Sequence, residues 1–584
     1  MTSFLQRVPV NYLRLAAAAA MAAVASLPVA AAAPDVIFYN GRIATFDAKD
    51  TTVEAVAIKD GRFTRVGSTL ALKKLAGMST RMIDLKGRTV LPGLIDAHCH
   101  PMEAMMMKET WVDCRYPGTA SVKEALEHVA AWASKTPKGE WIYAACVSAS
   151  ENKFAEKRLP TRAELDAAAP DNPVILANGT HMAIANTAAL QRLGIVKGVL
   201  RLPHGGSVIV DADGEPTGVL TDAQADVPTT PTAAQLEKYY TKDIQEFWNQ
   251  YGFTSVLAIT PAAALPVLQK VAEGPTPPTL RYTTAVWTSA NGEDMPSDLA
   301  RFRMPKGSDP AWYRFGGVKV WVDGENDCRT GYMHDAYVGH FDTDPPGGHG
   351  TLVTPQKTLD GFAGIAQRNR AMSLMHCSGD EAVDMGLAAY ERQAKAGPSA
   401  SIMRIEHFGM FQLTGAQLAR ARALRGNGLR VSVQPVWLLD LVKADFENMG
   451  DARTRAGFMF RSMIDAGLEP AAGTDVTGIY LDNVNPFLGI YAAVTRQSDA
   501  GVFEPAQAIT VTEAVKMWTI WAAKSMGESR VKGSIEPTKY ADMTVLSADI
   551  FTIPPAQLRD LRPLATIVDG NIVYQAPAAS PQLR

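Results

Sequence analysis

Hydrophobic and polar residues alternate in short runs near the start of the chain: Val36-Ile-Phe-Tyr39, Ala55-Val-Ala-Ile58, Arg62-Phe-Thr-Arg-Val66 and Arg81-Met-Ile-Asp-Leu85. Asn40-Gly41, Asp60-Gly61 and Lys86-Gly87 punctuate them, and such pairs favour tight hairpin turns. The pattern predicts a small antiparallel sheet. The same texture returns at the far end in Ala541 to Leu546, Leu564 to Val568, Asp569-Gly570 and Asn571 to Tyr574, so one β-sandwich built from both chain ends is expected. Between these pieces, short apolar strands alternate with helical stretches. The candidate strands are Thr89 to Ala97, Gly252 to Ile259, Leu280 to Trp287, Phe315 to Val322, Met372 to His376, Ile402 to His407, Leu429 to Gln434 and Pro470 to Asp475. Eight strands in βα alternation predict an α/β fold, a closed (β/α)8 TIM-like barrel. Thr510-Val-Thr-Glu513 has capping-box form and marks a helix start. The gap between the first two strands is too long for a βα loop. An inserted subdomain over about 105–240 is therefore expected after strand 1, with a helix over Val122 to Ala133 and a turn at Asp211-Ala-Asp-Gly214. The resulting division is 34–90 and 531–584 for the sandwich and 91–530 for the barrel.

Residues 1–33 read as an address. They hold Arg7 and Arg14, no acidic residue, and a 13-residue apolar run from Leu15 to Leu27, followed by Pro28 and small residues to Ala33. That is the pattern of a secretory signal peptide with an A-x-A cleavage site. A membrane span needs about 20 apolar residues, and Pro28 ends this run early. No Arg-Arg pair is present, which favours the general secretory route. The mature protein is expected to be secreted into the bacterial periplasm, with no stable membrane association.

The 584 residues are 47% hydrophobic and 20% charged, which excludes a disordered chain. A net charge of −3 and the lack of a basic stripe argue against nucleic acid as a partner. The five cysteines are scattered, odd in number and without CxxC spacing, so no disulfide framework is expected. No P-loop, dinucleotide fingerprint or Gly-x-Ser-x-Gly elbow occurs.

Barrel chemistry sits at the C-terminal ends of the strands. The first predicted strand runs into His98-Cys-His100, and residues i and i+2 of an extended chain share a face. The fifth ends in His376, the sixth in His407 and the eighth in Asp475. Imidazoles with a carboxylate suit zinc and its divalent neighbours. Lys319 lies inside the apolar fourth strand, where a buried ammonium loses its proton or acquires a partner. Deprotonated, it can add carbon dioxide and bridge two metal ions as a carbamate; the alternative is a pairing with Asp323 or Glu325. Met105-Met-Met107 could line an apolar pocket, although methionines commonly fill gaps in a core.

With these residues the sequence resembles the amidohydrolase superfamily of metal-dependent hydrolases, in the YtcJ-like branch that includes N-substituted formamide deformylase. The landmarks are Val90-Leu-Pro-Gly-Leu-Ile-Asp-Ala-His-Cys-His100, Asn178-Gly-Thr-His181, Val318-Lys-Val-Trp-Val-Asp-Gly324, His376-Cys-Ser-Gly-Asp380, Arg404-Ile-Glu-His407 and Gly473-Thr-Asp475. The resemblance implies that His98, His100, His376 and His407 ligate two zinc ions, with Lys319 bridging as a carbamate and Asp475 as a further ligand. It implies that Asp475 orients a metal-bound water as hydroxide, takes its proton and passes it to the leaving nitrogen. His181 and Arg329 match positions that could meet substrate, and a homodimer is a family-level expectation. The sequence departs from the family pattern at Asp323-Gly-Glu-Asn-Asp-Cys-Arg-Thr330, at Cys377-Ser378 and at Val476-Thr477, all where substrate would bind. The expected activity is hydrolysis of amide or related non-peptide C–N bonds of small molecules. Heterocycle deamination, lactone or ester hydrolysis, and a non-catalytic secreted binding protein are the alternatives.

Overall fold

The computed structural model describes residues 32–224, 226–229, 231–274, 277–288, 299, 309–399, 401–477 and 481–577. The signal segment therefore lies, up to residue 31, outside the described residues. The central sheet has eight parallel strands: β1 (Leu94–Cys99), β2 (Phe253–Thr260), β3 (Arg281–Trp287), β4 (Tyr313–Trp321), β5 (Met372–His376), β6 (Met403–Glu406), β7 (Leu429–Val433) and β8 (Ala471–Ala472). Each pairs with its sequence neighbour, as successive βα units require. Just past the last ladder pair, Asp475 N–H donates to the His98 carbonyl at 2.8 Å and His100 N–H to the Val476 carbonyl at 3.1 Å. These bonds join the eighth strand to the first, so the sheet is a nearly closed barrel.

Six strands fall within two residues of the sequence expectation; the first and last do not. Thr89 to Ala97 is two elements. Thr89–Pro92 belongs to an outer sheet, where it pairs with Met543–Leu546. The break is at Gly93, where a Cβ would lie 2.1 Å from the Thr254 hydroxyl, so only glycine lets the chain pass into β1. The eighth strand keeps just two residues in the ladder.

Both chain ends build the outer layers. A six-stranded sheet runs in the order Asn571–Gln575, Pro563–Val568, Met543–Leu546, Thr89–Pro92, Arg42–Ala44, Thr52–Val53. A four-stranded sheet holds Val36–Tyr39, Ala55–Lys59, Arg62–Gly67 and Arg81–Asp84. Val36, Phe38, Val56 and Phe63 share a buried cluster with Val90, Met543 and Ile567, which makes the pair a sandwich. The sheets are mixed rather than purely antiparallel. Val36–Tyr39 runs parallel to Arg81–Asp84 because the hairpin over 55–67 lies between them in sequence. Asp60-Gly61 and Asp569-Gly570 close antiparallel hairpins with both residues at positive φ, whereas Asn40-Gly41 and Lys86-Gly87 turn the chain from one sheet of the sandwich to the other and are not hairpins.

The inserted unit contains the helix Val122–Ala133 and a six-stranded mixed sheet of Val112–Asp113, Ile142–Cys146, Val174–Asn178, Met182–Ala185, Ser207–Val210 and Pro216–Thr221. Its own core gathers Val122, Val129, Phe154, Leu165 and Leu176. The helix Pro101–Thr110 packs its methionines into the barrel core, so the inserted sheet starts later than residue 105. All five cysteines are buried and unpaired by disulfides. Among the described residues no helix is long and apolar enough to cross a membrane.

Candidate metal centre

β1 delivers its ligands because Asp96 anchors it. The Asp96 carboxylate accepts from Trp248 Nε1 at 2.9 Å, from the Thr474 hydroxyl at 2.6 Å and from Thr474 N–H at 2.9 Å. Burial nevertheless raises its carboxyl to about 6. Two residues on, His98 is fully buried and its Nδ1 lies 2.6 Å from Glu406 Oε2. Arg404 grips both Glu406 oxygens at 2.8 Å and donates to the Ala97 carbonyl at 3.0 Å. A carboxylate so held accepts, so the proton sits on Nδ1 and the His98 Nε2 lone pair faces the barrel mouth.

The other imidazoles converge on that point. His407 Nδ1 lies 2.7 Å from the Gln434 amide oxygen, and its ring stacks on Trp437 at 5.3 Å and 4°. His376 Nε2 faces the Gly324 carbonyl at 3.0 Å, and its ring centroid is 4.4 Å from that of His407. Burial first, then neighbouring cationic groups, depresses His98 and His376 well below the ordinary imidazole value; burial takes His407 down to about 4. All three are therefore neutral lone-pair donors at pH 7. Asp475 places Oδ1 3.3 Å from His100 Nε2 and 3.4 Å from His98 Nε2, and Oδ2 3.9 Å from His407 Nε2. Burial raises this carboxyl and its hydrogen bond with His100 lowers it; the further lowering comes from positive charge at the place of the imidazole cluster, which a bound cation would supply where His98 and His407 are neutral. Lys319 is fully buried with Nζ 3.4 Å from His98 Nε2, and burial lowers its ammonium from the ordinary value.

The donor set fits a divalent cation. His407 Nε2 is buried and has no hydrogen-bond partner. The His98 Nε2 lone pair faces a carboxylate oxygen, an arrangement that repels unless a positive charge lies between them. One ligand atom each from His98, His407 and Asp475 lies within 4.8 Å of the others. His407 and Asp475 also sit in the left-handed backbone region at φ +63 and +49, a strain that the surrounding contacts must hold.

A cavity of about 190 Å³ opens over this cluster, lined by His100, Lys319, His376, His407 and Asp475 on the barrel side. The helix Pro101–Thr110 adds Met102, Met106 and Met107, β3 and β4 add Trp287 and Trp321, and the inserted sheet closes the other wall with Ile175, Met182 and Leu220. His181, also on the insert, lines the cavity with its ring 4.7 Å from that of His376 and its Nδ1 2.7 Å from Asp222. Thus the structure brings His98, His100, Lys319, His376, His407, Asp475 and His181 together.

Arg329 is placed elsewhere, and its expected contact with substrate is corrected. Its buried guanidinium pairs with both Asp344 oxygens at 2.6 and 2.9 Å and donates to the carbonyls of Val338 and Gly339. It thereby organises the loop after β4 and has no donor facing the cavity. Asp323 is not a partner for Lys319 either, since it accepts the N–H groups of Tyr332, Ser378 and Gly379. Two residues with a role here escaped the sequence reading. Glu406 fixes His98, and its signal was a charge two residues from Arg404 on a short barrel strand. Glu325 lines the cavity, and was considered only as a partner for Lys319.

Comparison with known proteins agrees with this geometry. The chain is 29% identical over 566 residues to N-substituted formamide deformylase of Arthrobacter pascens, covering 93% of this chain and 98% of that one. It is 27% identical over 555 residues to YtcJ of Bacillus subtilis (strain 168), covering 92% and 99%. Among solved structures, an uncharacterized metal-dependent hydrolase from Pyrococcus horikoshii OT3 superposes with a TM-score of 0.66 at 23% identity, covering 89% of this chain and 99% of that one. The pattern of the amidohydrolase family matches residues 81–574. This chain belongs to the amidohydrolase family.

Proposed function

We propose that the protein is an exported hydrolase that cleaves amide or related non-peptide C–N bonds of small molecules with the help of two zinc-like ions. The observation that carries this reading is the meeting of neutral imidazole nitrogens, one of them an orphaned buried Nε2, with Asp475 at the floor of a closed-in cavity. His98, His100, His376, His407 and Asp475 would hold the metal, with Lys319 bridging as a carbamate. Bound there, such ions supply Lewis acidity toward a carbonyl oxygen and make water acidic near neutral pH. Asp475 orients the attacking water, holds its proton on a carboxylate oxygen and returns it to the leaving nitrogen. The Arg404–Glu406 pair keeps His98 in one tautomer throughout. The methionine and tryptophan wall excludes water and accepts an apolar substituent of about one aromatic ring, judged from the roughly 150 Å³ that such a ring fills. The relative from Arthrobacter pascens makes N-substituted formamides the first class to try. Export is supported by the composition of residues 1–33.

The test is metal content per chain on the purified mature protein, with bicarbonate supplied during expression, followed by a screen of N-formyl, N-acyl and cyclic amides against aminopurines and lactones. About two zinc-like ions and amide turnover are expected. Activity confined to aminopurines or lactones would overturn the amide reading. A chain that takes no metal after reconstitution would be a binding protein.

A further inference from the structure

The inserted unit begins with an edge strand that has little to hold it. Val112–Asp113 is two residues long and stands at the end of its sheet, parallel to Ile142–Cys146. The register sets Val112 beside Ala144 and Asp113 beside Ala145. The Cys114 N–H then donates to the Ala145 carbonyl at 3.0 Å, so the next pair across the ladder is Cys114 and Cys146. Residues two apart on a strand share a face. Both cysteines accordingly join Val112 and Ala144 in the core of the insert, and each is fully buried there. Their thiols hydrogen-bond each other, and the Cys114 sulfur faces the Ala125 carbonyl of the helix Val122–Ala133 at 3.8 Å. Neighbouring strands stand about 4.8 Å apart, inside the span of about 4.4–6.8 Å between Cα atoms that a disulfide accepts. Cys328 shares this core, but its thiol donates to the Asn178 carbonyl at 3.2 Å.

We infer that Cys114 and Cys146 are joined by a disulfide in the exported protein. The inference rests on export for its oxidant and goes beyond the hydrolytic chemistry, which uses no cysteine. An extracytoplasmic oxidant of the protein-disulfide class supplies the exchange. One cysteine thiolate attacks the oxidant's disulfide, forming a mixed disulfide and releasing one oxidant sulfur as thiolate. The second cysteine thiolate attacks the first cysteine's sulfur, which closes the Cys114–Cys146 bond and releases the other oxidant sulfur. The pair gives up two protons and two electrons, and the oxidant leaves as a dithiol. The exchange belongs to folding. In the closed core, contact with Cys114 and burial push the Cys146 thiol well above its ordinary value, and no second protein reaches it. The bond closes a loop that contains the helix Val122–Ala133. It also ties down the strand that directly follows Trp111, a residue lining the cavity.

The test is a count of free thiols, trapped with iodoacetamide in denaturant without reductant and read by mass spectrometry of the intact chain and its peptides. Full-length chain expressed in a bacterial host with an oxidising periplasm should show three alkylated thiols, Cys99, Cys328 and Cys377, and a peptide pair linked through Cys114 and Cys146. Cys114→Ala removes one cysteine yet should raise the count from three to four, because Cys146 is released. Wild-type protein refolded under reductant should melt about 2–4 °C below the linked form, from the loop-closure entropy of the bond in a chain of this size. Cys114→Ala should melt alike after either refolding. Five free thiols in protein whose signal has been removed overturn the disulfide and leave export standing, and a link through any other pair overturns it too. Chain made without residues 1–33 and refolded with glutathione disulfide tests the pairing apart from the compartment. Five free thiols after that refolding overturn the pairing. A Cys114–Cys146 link formed there, while full-length chain in cells keeps its signal and five thiols, overturns export instead.

Discussion

Glu406→Gln exchanges one oxygen for an amide in the most deeply buried ion pair near the site. Glu406 and Arg404 are both fully buried; their two 2.8 Å bonds give the guanidinium its countercharge, and Glu406 Oε2 holds His98 Nδ1 at 2.6 Å. The substitution leaves Arg404 charged, with the Ala97 carbonyl and the Ser525 hydroxyl as its remaining neighbours. Breaking a buried pair on one side costs about 3–5 kcal/mol. With an unfolding entropy of about 2.1 cal/mol/K per residue, a mature chain unfolding as one unit would lose about 3–4 °C in Tm. The second effect is on His98. Gln keeps a single acceptor oxygen, which Arg404 and His98 Nδ1 must now compete for; where Arg404 takes it the amide NH2 faces Nδ1, the ring turns or changes tautomer, and metal affinity should fall roughly 10–100-fold. Scanning calorimetry reads the first effect and competition with a chromogenic chelator the second. The double variant Arg404→Met/Glu406→Leu discriminates between them. Removing both charges should recover most of the stability, since an apolar replacement of a whole buried pair is commonly neutral or better, while the metal affinity stays low. An unchanged Tm and affinity in Glu406→Gln would refute the reasoning, as would a double variant that regains affinity along with stability.

Lys319→Met, which keeps the length and removes the nitrogen, should lower metal content from about two ions per chain toward one or none, read by plasma mass spectrometry; an unchanged count would return Lys319 to a structural role. Asp475→Asn should leave a folded chain whose kcat on any amide substrate is lower by roughly 10²–10⁴, the usual worth of a positioned acid–base group. Removing the metal with a chelator should abolish turnover and added zinc should restore it; turnover that persists in metal-free protein would end the metal-dependent reading. Glu151 gives a pH test away from the metal. Burial raises its carboxyl to about 7 from an ordinary 4.5, so its contribution to stability is complete below pH 4.5 and is lost as pH rises toward and past 7. Glu151→Gln should therefore raise Tm at pH 8, by a few kcal/mol at most in stability, and leave Tm at pH 5 nearly unchanged; equal shifts at both values would contradict the sign.

The parts of the fold that were legible in sequence are those where one local rule decides. β5 is an apolar run bounded by turns, and its ends were placed to the residue. The helix Val122–Ala133 has an amphipathic period and a Ser121 cap, and it too was placed to the residue. The failures lie where the decision is made far along the chain. Thr89–Pro92 reads like the start of a barrel strand, but its partner is Met543–Leu546, about 450 residues away. The same holds at the site. His98, His100, His376, His407 and Asp475 could be picked out because strand ends concentrate chemistry in a barrel. Arg329 could not be judged, because its partner Asp344 lies in a loop whose return path has no periodicity. Glu325 stood in a segment read as a departure from the family pattern; its orientation toward His181 depends on how the inserted sheet docks over the barrel, which no spacing encodes.

The eighth strand shows how tightly closure of the fold and placement of the reactive carboxylate are joined. A two-residue strand contributes little ladder, so the seam between β8 and β1 must be held otherwise. It is held by side chain and backbone together: Asp96 on β1 receives the hydroxyl and the N–H of Thr474, and Asp475 N–H returns to the His98 carbonyl. Gly473 makes the approach possible, because a Cβ there would stand 2.5 Å from His98 Cβ and 2.7 Å from its nitrogen. The bonds that close the barrel are thus the bonds that set Asp475 3.4 Å from His98 Nε2 in a left-handed backbone conformation. A regular eighth strand would close the sheet with more ladder bonds but would keep residue 475 extended and its carboxylate on the strand's alternating face. The short strand therefore exchanges ladder for position, and Asp96, which carries no reacting atom, is what makes that exchange stable.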